Sequence, residues 1–128
     1  MKYLCLVYLS QEKWNACADE VCFEAAKGLQ MGGHLLAAEP LHPVDTATTL
    51  RIRNGQLSMV DGPFAETKEQ LAGFYLLEAA DLNEAIHMAA KIPPVQHGSV
   101  EVRPVRELEV AGFQSFTPTP QGDTHALR

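Results

Sequence analysis

The chain has 128 residues, 46% of them hydrophobic, which is enough to bury one core and predicts a single domain. Sixteen Asp and Glu against ten Lys and Arg give a formal net charge of −6. Because nucleic-acid binding needs clustered Lys and Arg, this balance argues against a nucleic-acid partner. No run of roughly eighteen apolar residues is present to suggest a membrane span, so we expect a soluble protein, and the cysteines considered below predict a cytoplasmic one.

The first predicted element is a strand over residues 2–9, which is apolar on both of its faces. Such a strand is typical of a sheet that is covered on both sides, so something must cover the face that the helices leave open. A helix is predicted from Asn15 to Met31, and Gly32-Gly33 can supply its left-handed cap. Its predicted core stripe comprises Ala18, Cys22, Ala25 and Leu29.

The three cysteines, Cys5, Cys17 and Cys22, fit no paired metal-ligand spacing. Cys17 and Cys22 are five residues apart, which places them about 140° apart around a helix. We interpret all three as reduced cytosolic thiols, with Cys5 and Cys22 at core positions. No ligand spacing is seen either among His42, His87, His97 and His125, so neither a metal nor a cofactor is predicted.

A strand at residues 34–38 is followed by the clearest turn signal of the chain. Thr48 to Arg53 and Gln56 to Val60 flank Asn54-Gly55, which is typical of a tight β-hairpin. The alternation of side chains predicts that one face of this hairpin is core and the other is polar. The predicted core face carries Leu50, Ile52, Leu57 and Met59.

The second half of the chain repeats a strand followed by a helix. Gly73 to Ala79 is a predicted strand, and Asp81 with Glu84 forms a capping box that opens the next helix. Pro93-Pro94 ends this helix, and Ser99 to Val105 supplies the last strand. The predicted buried stripe of the helix comprises Leu82, Ala85, Ile86 and Ala89.

This order of elements predicts an α+β fold in which an antiparallel sheet carries two helices on one face. A single domain is expected over residues 1–110. Residues 111–128 contain Pro, Gly and polar residues without periodicity, and a mobile tail is predicted there.

A charged turn from Asp61 to Gln70 separates two predicted strands. Gly62 can adopt a positive φ, and Pro63 restricts the path of the backbone, so the turn is expected to be rigid. Glu66, Lys68 and Glu69 then alternate in charge. Rigid loops often carry sites, whereas a run of charges is also typical of a solvated face.

Several stretches carry a family resemblance: Ala47 to Arg51, Asp61 to Leu71, Gly73-Phe74-Tyr75, Ala85 to Pro93 and Val100 to Pro104. Together they resemble the DGPF branch of the YCII-related protein family over about residues 1–108. The resemblance implies a ferredoxin-like fold that pairs its sheets as a dimeric α/β-barrel arrangement. Relatives by fold include cofactor-independent monooxygenases and lactone isomerases, and the DGPF branch is associated with bacterial sigma factors. A shared fold does not transfer a reaction.

A homodimer formed through the open sheet faces would stack two sheets about 10 Å apart and enclose a small-molecule pocket. Glu101 and Arg103 are two apart on a strand, so they share a face and can form an ion pair or hold a carboxylate. The predicted ligand-binding residues are Tyr75, Lys68, Glu69, Glu101 and Arg103.

Asp61, Glu66 and His34 are the candidate catalytic bases, and Lys68 or Arg103 could stabilise developing negative charge. In the wider family, a His on the first helix and an Asp beyond the next strand resemble an acid/base pair. Here the predicted first helix contains no His, and Cys22 lies near the expected position. The resemblance therefore does not carry that pair over to this chain.

Three functions are compatible with these patterns. The first is a small-molecule-binding or accessory protein with a cavity at the dimer interface, linked to bacterial sigma-factor signalling. The second is a cofactor-independent enzyme, monooxygenase-like or isomerase-like, that acts on a small carbonyl or aromatic metabolite. The third is a structural self-association module, which would require that side chains fill the cavity.

Overall fold

The computed structural model describes residues 1–117, so part of the predicted tail lies outside the described residues. The helices and strands, in chain order, are β1 Lys2–Ser10, α1 Asp19–Met31, β2 Leu35–Pro40, β3 Thr48–Arg53, β4 Gln56–Asp61, β5 Glu69–Glu78, α2 Leu82–Ala89 and β6 Ser99–Pro104. Neither helix of this part of the chain is long and apolar enough to cross a lipid bilayer.

Four strands form one antiparallel sheet in the order β2-β5-β1-β6. β1 is central, and its Cys5 pairs with Tyr75 of β5 on one side and with Val102 of β6 on the other. Strands β3 and β4 form a separate two-stranded sheet. This architecture confirms the predicted α+β, ferredoxin-like fold.

The core lies between one face of the large sheet and the two helices. Residues along β1 alternate between buried and half-buried, and the buried set includes Cys5 and Val7. They cluster with Leu77 of β5, Leu29 of α1 and Ala89 of α2, so both helices pack on the same face. The opposite face, which we call the open face, carries the half-buried set Leu4, Leu6, Tyr8, Phe74 and Leu76.

Helix α1 begins at Asp19, so the predicted start at Asn15 is wrong. Residues 14–18 are irregular because Trp14 packs against the core and draws this segment away from the helical path. The end agrees with the prediction, since Gly33 has a φ of 81°. The amide of His34 donates to the Leu29 carbonyl at 3.0 Å, which completes a Schellman cap.

Helix α2 has the predicted cap. The Glu84 amide donates to Asp81 Oδ1 at 2.9 Å, and Glu84 Oε1 accepts a 2.7 Å hydrogen bond from the Ala80 amide. The predicted buried stripe is only half right, because Ala85 and Ala89 are buried whereas Leu82 and Ile86 are about half exposed. This short helix of 8 residues contacts the sheet along a narrow line of alanines.

The β3–β4 hairpin forms as predicted, and Asn54 and Gly55 have the positive φ values that a tight turn needs. The prediction of a core face on this hairpin is wrong for the single chain. Four apolar side chains pair across the two strands and are 59% to 69% exposed: Leu50, Ile52, Leu57 and Met59. The hairpin contributes no residue to the buried clusters of the core.

The charged turn is shorter than predicted because pairing with β1 extends β5 back to Glu69. Gly62 has a φ of 119°, its amide donates to the Ala47 carbonyl at 2.7 Å, and its carbonyl accepts from Thr49 Oγ1 at 2.8 Å. Hydrogen bonds therefore hold the backbone on both sides of the Gly62 Cα atom. Within the described residues, no atom outside Gly62 and its two chain neighbours lies within 4 Å of the position that a Cβ on Gly62 would occupy, so any cost of a substitution comes from the backbone.

We therefore expect Gly62→Ala to lower the free energy of unfolding by about 1 kcal/mol or more, because a Cβ disfavours this positive φ. Chemical denaturation of both proteins measures the difference. Pro63→Ala is the matched control and should cost less, since it acts mainly on the freedom of the unfolded chain. Equal unfolding curves for Gly62→Ala and the parent would show that the turn is not strained.

Candidate ligand cavity

A cavity of about 440 Å³ lies between the large sheet and the beginning of α1. One wall is the irregular segment before α1 together with the first turns of this helix. The other wall is the end of the sheet where β2 meets β5. Val7, Leu9 and Tyr75 line it from the face that the helices cover. Its size falls within the range of small-molecule sites in proteins.

An irregularity in the sheet provides space for this cavity. The pairing of β1 with β5 shifts register between Val7 and Tyr8, which leaves Ala72 without a partner on β1. The next residue, Gly73, is buried and lines the cavity with backbone atoms. A Cβ on Gly73 would lie 2.9 Å from the Glu39 carbonyl oxygen, so this close approach of β5 to β2 requires glycine.

Most of the cavity wall is apolar, and aromatic side chains form a large part of it. Trp14 and Phe23 line the side of α1, and Tyr75 lines the side of the sheet. Trp14 is the only tryptophan of the chain. Flat apolar walls of this kind bind aromatic or aliphatic groups through burial of surface.

A small set of polar groups also reaches the cavity: Asn15, Cys17, Asp19, Cys22, Glu39 and Tyr75. Burial, followed by the charges of Cys22 and Cys17, raises the pKa of Tyr75 to about 12. The phenol is therefore protonated at neutral pH and can donate a hydrogen bond. Burial, the hydrogen bond to Cys17, and the charges of Cys17 and Asp19 raise the pKa of Cys22 to about 12.

Of the predicted ligand-binding residues, Tyr75 lies in this cavity wall, and the others lie elsewhere. Arg103 Nε donates to Glu101 Oε2 at 2.9 Å, and this ion pair lies on the open face of β6. Glu69 Oε1 accepts a 2.6 Å hydrogen bond from Ser99 Oγ, whereas Lys68 is exposed. The cavity and the predicted interface pocket are thus on opposite faces of the sheet.

The three candidate bases lie outside the cavity. Asp61 is exposed at the end of β4, and Glu66 is exposed in the turn that follows. His34 is half-buried before β2, where its Nδ1 lies 3.0 Å from the Glu78 carbonyl oxygen. The cavity borders the other end of β2, at Ala38 to Leu41, so none of the three lines it.

Sequence reasoning missed Trp14, Cys17 and Asp19 as residues of a site. The predicted helix begins at Asn15, so the prediction assigned to the helix the irregular segment that forms a wall of the cavity. A signal was available in the sequence, because the chain has a single Trp and it lies beside two closely spaced cysteines.

Comparison with known proteins found a matching family model and a similar protein. A family model described as the YCII-related domain matches residues 1–109. An uncharacterized protein of Rhizobium meliloti (strain 1021) is 38% identical over 114 residues, a match that covers 82% of this chain and 92% of the relative. The residues that line the cavity and those of the open face all lie within the part that the family model matches.

Proposed function

The chain belongs to the YCII-related family, and from the cavity that its fold forms beside α1 we propose that it binds a small, neutral organic molecule. The observation that carries this proposal is the 440 Å³ space with a mainly apolar wall and a few polar groups. A module that served self-association alone would be expected to fill such a space with side chains. The volume therefore favours a binding protein over a purely structural one.

The polar groups of the cavity indicate the chemical class of the ligand. Asp19 and Glu39 line it, and no Lys or Arg is found among its lining residues within the described chain. A carboxylate or phosphate ligand would meet two acids there, which disfavours anions. The Tyr75 phenol can donate to a carbonyl or hydroxyl oxygen, and Trp14 and Phe23 can contact a ring. A neutral aromatic or carbonyl compound fits this combination.

Trp14 provides a direct readout of occupancy. We would screen small neutral aromatic and carbonyl compounds, together with matched carboxylates, by the intrinsic fluorescence of the protein. Melting temperature would serve as the second readout, since a ligand that binds the folded state stabilises it. Neutral compounds should shift both signals, and the carboxylates should shift them less.

Filling the cavity should abolish this binding while the fold persists. Ala26 is half-buried on α1 and lines the cavity, so Ala26→Leu would place additional carbon atoms in the space. We expect the affinity for a compound from the screen to fall at least about tenfold, with little change in melting temperature. Ala25→Leu is the matched control, because Ala25 is a half-buried neighbour on the same helix that does not line the cavity. Equal affinities of the two variants would contradict the proposed site.

The open face of the sheet supports a second part of the proposal, a homodimer. Leu4, Leu6, Phe74 and Leu76 form an apolar surface there, and the Glu101–Arg103 ion pair lies at its edge on β6. Large apolar surfaces on a monomer are typical of protein interfaces. Pairing of two open faces would cover these side chains and would bring the ion pair into the interface.

Sedimentation at micromolar concentration should therefore report about twice the chain mass of 14.0 kDa. Arg103→Ala should raise the dimer dissociation constant at least about tenfold, because Glu101 would lose its partner where water is excluded. Lys68→Ala is the control, since Lys68 is exposed in the turn before β5, and it should leave dimerisation unchanged. A monomeric parent would rule out the pairing.

A catalytic role on a small carbonyl or aromatic metabolite stays a prediction, and so does an accessory role in bacterial sigma-factor signalling. Among the described residues no His lines the cavity, and neither Asp61 nor Glu66 does. The geometry therefore supports binding more directly than acid/base chemistry.

A further inference from the structure

Two thiols meet at the wall of the cavity. Cys17 Sγ and Cys22 Sγ are 2.8 Å apart, closer than two non-bonded sulfur atoms normally approach. Both cysteines are free and half-exposed to solvent, and both line the cavity. Cys5, the third thiol, is fully buried in β1 and has no access to either. Cys17 and Cys22 thus differ from Cys5 both in position and in exposure to solvent.

The two cysteines lie on segments that the structure holds to different degrees. Cys22 lies in the first turns of α1, whose position the core determines through Leu29. Cys17 precedes the helix in the irregular segment, outside the strands and helices. A movement of less than about 1 Å by Cys17 would bring the sulfurs to the ~2.05 Å of a disulfide.

We propose that Cys17 and Cys22 form a reversible intramolecular disulfide by thiol–disulfide exchange with a low-molecular-weight disulfide such as oxidised glutathione. The two protein thiols are oxidised, and the small disulfide is reduced to two thiols. This site goes beyond the binding of a ligand, because the chemistry involves only the chain and the small disulfide.

The order of the two steps follows from the environment of each thiol. Burial disfavours the thiolate of Cys22, so the reaction starts at Cys17, which gives its proton to solvent and attacks the small disulfide. A Cys17–glutathione bond forms, the glutathione disulfide bond breaks, and one glutathione leaves as the thiol with a proton from solvent. Cys22 Sγ then attacks Cys17 Sγ and displaces the second glutathione, which takes up the proton of Cys22.

The first step also leaves the second thiol in reach. Cys22 Sγ lies 2.8 Å from Cys17 Sγ before the reaction, so the mixed disulfide forms directly beside it. The short separation then favours closure over attack by a second glutathione, because the effective concentration of Cys22 is high.

Closure of the disulfide would also change the cavity wall, and this consequence rests on the proposed function. The new bond would draw the segment that contains Trp14 toward α1. Trp14 fluorescence should therefore differ between the reduced and oxidised proteins without any ligand, and the affinity for a compound from the screen should differ as well. Failure of all compounds to bind either form would overturn the proposed ligand site and leave the disulfide intact.

The test uses the full chain in glutathione buffers that range from fully reduced to fully oxidised. Samples are quenched in acid, alkylated under denaturing conditions with N-ethylmaleimide, digested with trypsin and measured by mass spectrometry. Cleavage after Lys13 and Lys27 yields one peptide that holds both Cys17 and Cys22. We expect this peptide to lose two hydrogens and both alkylations in oxidising buffer, and to regain them in reducing buffer. The Cys5 peptide should be alkylated throughout.

Cys17→Ser and Cys22→Ser are the matched variants, and each should stop at the mixed disulfide with glutathione. At equal thiol and disulfide concentrations, the closed form of the parent should exceed its mixed disulfide by at least about tenfold. A parent peptide that stays fully alkylated in the most oxidising buffer overturns the proposal. So does a parent that accumulates only the mixed disulfide or a disulfide between two chains. The digest of the parent protein shows whether the Cys17–Cys22 disulfide forms, even if a variant fails to fold.

Discussion

Gly98→Ala is expected to lower the free energy of unfolding by about 3 kcal/mol or more, because a Cβ at this position would collide with the central strand. An ideal Cβ on Gly98 would lie 2.0 Å from the Tyr8 carbonyl oxygen and 2.9 Å from Leu9 Cδ2. Tyr8 belongs to β1, which pairs with strands on both sides, so its backbone cannot move aside cheaply. The melting temperature should fall by about 10 °C.

Gly28→Ala is the matched control for this substitution. Gly28 lies within α1, and apart from its chain neighbours and the helix backbone no described atom lies within 4 Å of the Cβ it would acquire. Alanine is the better helix former, so this variant should gain up to about 1 kcal/mol. Thermal melts of the parent and both variants should therefore move in opposite directions. A Gly98→Ala protein that melts with the parent would show that β1 and the segment before β6 are not in close contact.

Leu77→Ala should cost about 2 to 5 kcal/mol, because it removes buried carbon atoms from the centre of the core. Leu77 is fully buried on β5, where it pairs with Tyr3 of β1 and Leu35 of β2. β5 is paired with a strand on each side, so the backbone around Leu77 cannot collapse into the space. Urea denaturation of the parent and the variant measures the difference.

Leu57→Ala makes the same chemical change on the β3–β4 hairpin. Leu57 is 61% exposed, so its loss should alter the free energy of unfolding by no more than about 0.5 kcal/mol in the monomer. The alternation of the hairpin predicted Leu57 as core, and the structure contradicts that prediction. Equal losses of unfolding free energy for Leu57→Ala and Leu77→Ala would show that the Leu57 side chain is buried in the core.

Local signals in the sequence determined several features on their own. Asn54-Gly55 predicted the hairpin turn, Asp81 with Glu84 predicted the start of α2, and Gly32-Gly33 predicted the end of α1. Each of these depends on backbone conformation or on hydrogen bonds within a few residues. The chain needs no distant contact to specify them, which is why the order of elements and the α+β class could be predicted.

The sequence also predicted which residues share a face, but not which face is covered. Leu50 and Leu57 alternate on the hairpin as Cys5 and Val7 alternate on β1, yet only the strand of the large sheet is covered by helices. Alternation indicates a side of a strand and carries no information about what packs against it. Burial was therefore decided by tertiary structure.

The cavity and the thiol pair depended on tertiary structure alone. On an ideal helix from Asn15, Cys17 and Cys22 would point about 140° apart. Packing of Trp14 against the core keeps residues 14–18 out of the helix, so α1 begins at Asp19 and the two sulfurs lie 2.8 Å apart. The same displaced segment forms one wall of the cavity. A contact between a side chain and strands distant in sequence overrides local helical preference here, because buried aromatic surface outweighs the small propensity of a few residues.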